Sequence, residues 1–237
     1  MSRLLEDKKN LVIFLLAVLF FIRVAQAGLN FFFWVLGGVL CVAVLDFFIQ
    51  RIFYKKTIFP ASAIITGFIV AGVMDYRENW LWLITFLSLA VTSKHTLKFN
   101  KKHIFNPACF GLFFAALFKI PLTLNIESNI FLIIIVGMYL AYFYKKIFHV
   151  VGFLVFFSAL FVTQGMNPFG IISWFFTFIM LIEPKTSGYG KLRGFIFGAI
   201  AGIFSFLIFK FFPGYDFFVC SLFFTCLCNP ILERIKI

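Results

Sequence analysis

Acidic residues are scarce: nine Asp and Glu stand against 21 Lys and Arg in 237 residues, and charged residues make up only 13% of the chain. Soluble domains average about a quarter charged, so a sizeable water-exposed domain is excluded. The signatures of soluble enzymes are missing too: there is no G-x-S-x-G, P-loop, H-E-x-x-H or G-x-G-x-x-G. The three histidines, His95, His103 and His149, are not spaced as metal ligands. Five cysteines (Cys41, Cys109, Cys220, Cys226, Cys228) are an odd count in or beside apolar runs, where free Cys packs as a small hydrophobe. The C-x-C at Cys226 and Cys228 is too tight for common zinc spacing, and with Cys109 it falls short of the four thiolates of an iron–sulfur site. Nor is there an intramembrane row of acids of the proton-pump kind. No metal site and no catalytic residue are expected.

What the chain does have is apolar surface. It is 63% hydrophobic and 22% aromatic, with 40 Phe and a mean hydropathy of +1.06. That composition specifies an all-α polytopic membrane protein, a single membrane domain over 1–237 in contact with the lipid bilayer. Ten apolar segments follow one another: 11–27, 29–49, 60–73, 80–93, 106–118, 130–143, 148–163, 168–182, 194–211 and 216–232. Several fall short of the ~20 residues that cross a hydrocarbon core of about 30 Å. Those at 60–73, 106–118 and 168–182 begin at or just before Pro60, Pro107 and Pro168, the pattern of broken or half-length helices. The first segment, with Arg3, Lys8 and Lys9 ahead of it and Ala25-Gln26-Ala27 at its end, mimics a signal peptide. Arg23 interrupts the run, and a retained first helix is the expectation.

The basic residues sort by gap. Seventeen lie in alternate gaps counted from the N-terminus, three (Arg77, Lys119, Lys210) in the others, and Arg23 within a segment. Such asymmetry orients the chain with its basic gaps and both termini cytoplasmic, in a cell (inner or plasma) membrane. It accounts for the +12 net charge without nucleic acid as a partner. Ten spans divide into two five-helix repeats of opposite orientation, about 11–118 and 130–232, an inverted-repeat plan that places a site between the halves. Proline spacing agrees: Pro60 to Pro107 and Pro168 to Pro213 are nearly equal intervals.

Polar residues in or beside spans are costly and mark candidate sites. Asp46 lies near the end of the second segment, within reach of the interface. Leu181-Ile182-Glu183-Pro184-Lys185-Thr186-Ser187-Gly188 is either a ligand-binding helix break or an ordinary stop. Ser93-Lys94-His95 leads to His103-Ile104-Phe105-Asn106-Pro107-Ala108, where Asn106 caps a helix that Pro107 starts. Lys and His beside that N-terminus suit an anion, although a basic orientation loop with a routine cap is the simpler account. In Pro60-Ala61-Ser62-Ala63-Ile64-Ile65-Thr66-Gly67, small and hydroxyl residues allow close packing or a ligand contact.

These segments resemble the RnfD/NqrB family of membrane subunits. Ser62 through Phe68 is similar to the family's S-A-x-I-T-G-L, and Ser93-Lys94 through Ala108 to its G/S-K … H-x-F-N-P-A. Phe178 through Ser187, followed by Arg193-Gly194 to Gly202, resembles F-M-x-T-[DE]-P-x-T-S and the helix after it. Cys228-Asn229-Pro230-Ile231-Leu232-Glu233 is similar to the end of the family's last helix. The resemblance implies a flavin-binding subunit of an ion-translocating electron transport complex, working with other membrane and cytoplasmic subunits and not catalytic alone. It implies Ser62 and Thr66 as ligand hydroxyls, and Lys94 and His103 for an anionic tail or an interface. Asn106 would stand at a helix start, with Glu183, Thr186 and Asn229 completing the site. The chain departs from the family at one point: no Thr has Gly two residues before it, so flavin (FMN or riboflavin) is expected to bind non-covalently. The alternative is a permease for a flavin-like vitamin or other small polar solute without redox activity; a third reading is a scaffolding subunit.

Overall fold

The computed structural model describes residues 2–55, 58–99, 102–183 and 190–234. Among the described residues the regular structure is helical apart from one two-stranded antiparallel pair. Four helical stretches are long and apolar enough to cross a membrane: Lys9–Ala27, Leu29–Tyr54, Lys191–Phe211 and Phe217–Arg234. Shorter apolar helices accompany them. The chain is an all-α membrane protein, and its contacts divide into two compact units, Met1–His95 with Phe110–Asn129, and Thr96–Cys109 with Ile130–Ile237.

In the first unit, helices α1 (Ser2–Ala27) and α2 (Leu29–Tyr54) are joined by Gly28 alone. Gly28 turns the chain at φ 84°, a left-handed value that a side chain would disfavour. Along α2, Leu29, Phe33, Leu36, Leu40, Val44, Phe48 and Ile52 form an exposed apolar stripe. At 1.5 Å per residue this stripe is about 34 Å long, enough to face the hydrocarbon from end to end. The other face, Phe31, Trp34, Val35, Gly38, Val42 and Asp46, is buried.

Helix α3 (Ala61–Val73) has 13 residues and begins after Pro60, as the proline pattern predicts. Trp34 on α2 donates from Nε1 to the Ala71 carbonyl at 3.0 Å. Residues 121–126 cap the other end of α3. Thr123 and Leu124 amides donate to the Val73 carbonyl, the Ile126 amide donates to that of Gly72, and Met74 pairs with Leu122. Carbonyls that a short helix leaves without partners are thus satisfied by peptide rather than lipid. Helix α4 (Trp80–Thr96) buries Leu83, Leu87, Ala90, Val91 and Lys94. Helix α5 (Pro107–Leu117) has 11 residues and begins in the second unit before continuing in the first.

The second unit opens with the antiparallel strands β1 (Lys98–Phe99) and β2 (Lys102–His103). It continues with α6 (Ile130–Phe143), α7 (Ile147–Val162), α8 (Lys191–Phe211), α9 (Phe217–Leu227) and α10 (Asn229–Arg234). The apolar segment 168–182 is not a continuous α-helix. Asn167 caps a 3-10 turn at Pro168–Gly170, and a π-helix follows at Phe176–Met180, closed by the Leu181 amide on the Phe176 carbonyl at 2.9 Å. π turns are rare and concentrate at functional sites.

Helices α7 and α8 meet backbone to backbone. A Cβ at Gly198 would lie 2.0 Å from the His149 carbonyl oxygen, one at Gly152 would lie 2.2 Å from that of Phe195, and Gly194 covers the His149 imidazole. Gly194, Gly198 and Gly202, four residues apart, make the small-residue stripe by which helices approach closely in a membrane. Phe153, Phe157, Phe161 and Phe176 fill the core behind them. The Phe157 and Phe161 ring centroids are 4.3 Å apart, and those of Phe176 and Phe218 are 5.0 Å apart.

Candidate functional site

The candidate residues fall mainly in two polar clusters, one in each unit; apart from them, the second unit also buries Lys146 beside His149 and Ser205 beside Ser221. In the second unit the meeting point is the stretch 104–106 that precedes α5. Asn106 is the N-cap: its Oδ1 accepts from the Cys109 amide at 3.1 Å, as Asn before Pro at a helix start predicts. Its Nδ2 donates to the Met180 carbonyl at 3.1 Å, at the end of the π-helix. Asn229, heading α10, donates from Nδ2 to the Ile104 carbonyl at 2.8 Å. Two carboxamides therefore tie three chain breaks, at 104–106, 180–183 and 228–229, into one cluster. Glu183 is half-buried at the end of the broken segment. The phenol of Tyr144, just past α6, is pushed above its ordinary range first by burial and then by the Glu183 carboxylate nearby. Phe105 and Phe223 stack beside the cluster, with centroids 4.7 Å apart and planes at 17°. His103 belongs to this unit, in β2. Thr186 lies outside the described residues.

In the first unit the cluster is ionic. Asp46 is fully buried, and its Oδ1 accepts from Lys94 Nζ and from His95 Nε2, each at 2.8 Å. Its Oδ2 accepts from Gln50 Nε2 at 2.6 Å. Lys94 thus spends its charge on a carboxylate of its own unit. Ser62 and Thr66 lie one turn apart on α3, where the Thr66 hydroxyl donates to the Ser62 carbonyl at 3.0 Å. Asp46, offered by its position only as a residue reaching the interface, is instead the centre of this cluster, and His95 is a partner the spacing of histidines did not suggest. A signal existed. Asp46 continues the buried α2 series at 35, 38 and 42, and Lys94 continues the α4 series at 83, 87 and 90. Apolar stripes that end in opposite charges predict a buried pair.

A cavity of about 220 Å³ opens at the other end of α2, lined by Asn30, Phe33, Trp34, Tyr76, Arg77 and Trp80. None of the candidate site residues from the sequence lines it. Among the described residues, no three His, Cys, Asp or Glu side chains come together to hold a metal ion. No model of a known protein family matches the chain, and comparison with curated proteins returns no significant match.

Proposed function

We propose that the chain is an RnfD/NqrB-like subunit that binds flavin non-covalently in a cell membrane and couples electron transfer to ion movement alongside membrane and cytoplasmic partner subunits. In this reading it has ten spans in two inverted five-helix repeats, about 11–118 and 130–232, with both termini cytoplasmic. The observation that carries the reading is convergence in the second unit. Three of the four segments on which the resemblance rests are joined there by side-chain hydrogen bonds, Asn106 to Met180 and Asn229 to Ile104. Residues that far apart in sequence need no such ties if each only ends its own helix.

The groups at that cluster fit a flavin. A stacked aromatic pair, Phe105 and Phe223, offers a platform, the Glu183 carboxylate accepts from an imide N–H or from ribityl hydroxyls, and the Tyr144 phenol supplies a donor. Asn106 and Asn229, with their carboxamide N–H groups on backbone carbonyls, act as positioning residues. A bound flavin supplies one- or two-electron transfer; the chain supplies orientation and a water-poor setting.

The test is an absorption and fluorescence spectrum of the detergent-purified protein before and after acid denaturation. Flavin bands near stoichiometric yield, released on denaturation, are the expected result. Flavin that stays on the chain would contradict non-covalent binding. A colourless protein that cannot be reconstituted with FMN or riboflavin would overturn the reading and favour solute transport, read as uptake into vesicles holding this protein alone.

A further inference from the structure

The cavity at the start of α2 has no part in the flavin reading. It lies wholly within the first unit, lined by Asn30, Phe33 and Trp34 of α2, Tyr76 and Arg77 of the loop after α3, and Trp80 at the start of α4. At about 220 Å³ it falls below the ~300–1,000 Å³ of pockets that enclose drug-sized molecules, so it suits a small polar group rather than an isoalloxazine. Its walls are aromatic and braced. Trp34 is buried, donates its indole N–H to the Ala71 carbonyl, and has its ring 5.1 Å from that of Trp80. A Cβ at Gly37 would stand 2.7 Å from the Trp80 ring, so this glycine lets the indole lie against α2. Phe31 meets Tyr76 edge to face, with centroids 5.7 Å apart.

Arg77 is the cation of the cavity, its guanidinium 5.6 Å from the Tyr76 ring centroid. Among the described residues it forms no ion pair: Asp75 Oδ1 accepts from the Arg77 backbone amide, at 3.0 Å, and not from the side chain. An exposed guanidinium fork of this kind suits a phosphate. Two observations name the source of that phosphate. Phe33 lines the cavity and also belongs to the exposed apolar stripe of α2, so the cavity opens where the hydrocarbon ends; Trp and Tyr belong at that level. Asp75, Arg77 and Glu78 share one turn, closed by the Glu78 amide on the Asp75 carbonyl at 3.2 Å. Two acids to one base repel a free phosphate dianion and complement the ammonium of a zwitterionic headgroup.

We infer that this cavity seats the headgroup of a zwitterionic phospholipid, the phosphodiester of an aminoalcohol. Arg77 takes the phosphate, Asp75 and Glu78 supply the counter-charge for the ammonium, and the acyl chains lie along the α2 stripe from Phe33 onward. Binding is non-covalent.

The test is native mass spectrometry of the full-length protein, delipidated in detergent and titrated with phosphatidylethanolamine or phosphatidylglycerol. The expected result is one saturable phosphatidylethanolamine adduct, tighter than that of phosphatidylglycerol and not displaced by excess inorganic phosphate. Arg77→Gln should weaken it about tenfold or more, and Lys210→Gln, in the second unit, should leave it unchanged. Gly37→Ala, which must shift the Trp80 indole, should weaken it as well and reads the same site should Arg77→Gln fail to fold. Phosphatidylglycerol bound as tightly, displacement by inorganic phosphate, parental affinity in both Arg77→Gln and Gly37→Ala, or equal weakening by Lys210→Gln overturns the proposal. The readout counts lipid, so the presence or loss of flavin in the purified protein leaves it untouched.

Discussion

The two units secure their polar interiors by different chemistry. The first buries charge, with Asp46 held by Lys94 and His95. At its cluster the second uses neutral carboxamides, Asn106 on Met180 and Asn229 on Ile104, while a buried cation, Lys146, sits apart from that cluster beside His149. A buried pair gains little over an apolar pair but is expensive to break, because the remaining charge has no water to solvate it. A carboxamide that bonds a backbone carbonyl risks only one desolvated dipole. The first cluster is therefore sensitive to charge, and the second to geometry.

The largest expected effect comes from splitting the ion pair. Asp46→Leu leaves the Lys94 ammonium buried and should cost about 3–5 kcal/mol, whereas Asp46→Leu with Lys94→Met should fall within about 1–2 kcal/mol of the parent. The matching change in the second unit, Asn106→Ala, removes a cap and leaves the Met180 carbonyl with a lost donor, at about 2–3 kcal/mol. Asn106→Asp keeps the cap but sets a buried carboxylate oxygen against the Met180 carbonyl, so it should cost at least as much. Unfolding of the detergent-solubilised protein in SDS measures all four. A double variant no more stable than Asp46→Leu would end the contrast.

Helix seams sharpen it. At Gly198 the obstacle to a Cβ is backbone, the His149 carbonyl at 2.0 Å and the Phe153 amide nitrogen at 2.7 Å. At Gly38 in the first unit the nearest atom is the Ala71 Cβ at 3.0 Å, followed by the Leu83 side chain. At Gly38 the Leu83 side chain yields by a rotamer shift and the Ala71 Cβ needs to recede by only a few tenths of an ångström, whereas at 2.0 Å a helix backbone must move bodily. Gly198→Ala should thus cost about 3 kcal/mol or more, and Gly38→Ala about 1 or less. Thermal unfolding in detergent, with the two variants side by side, decides whether the α7–α8 seam is the tighter one.

Much of this was legible because hydrophobicity is local. The prolines at 60 and 107 mark the starts of short helices α3 and α5, and Asn106 is the cap that its place before Pro107 requires. The segment 168–182 was legible as apolar and proline-started, yet its π turn at Phe176–Met180 was not. A π turn differs from an α turn by one residue of register, and apolar runs carry no register. The Asp46–Lys94 pair is 48 residues apart, so no local pattern joins its members. Only the end of a buried stripe on each helix pointed inward. The α7–α8 seam was written in the four-residue spacing of Gly194, Gly198 and Gly202, a signal of packing that is easily passed over beside motifs that promise chemistry. The Asn106–Met180 and Asn229–Ile104 ties lay beyond the sequence because each partner is a backbone carbonyl, which has no residue type to be recognised by.

The smallest effect concerns charge in the second unit, where carboxamides otherwise prevail. Burial and Glu183 together hold the Tyr144 phenol above its ordinary value of about 10. A folded-state value above the unfolded one contributes stability that is complete below pH ~10 and is lost as the pH rises toward the folded value, because the folded chain then keeps a proton the unfolded chain has released. Glu183→Gln removes the charge but leaves the burial. Tyr144 should therefore ionise earlier than in the parent while staying above a free phenol, and the alkaline loss of stability should become shallower. Difference absorbance of tyrosinate against a Tyr144→Phe control reads the first change, and unfolding midpoints between about pH 9 and 11 read the second. If the phenol of Glu183→Gln titrates with the parent, the carboxylate does not act on Tyr144. The second unit's cluster would then be organised by carboxamides alone.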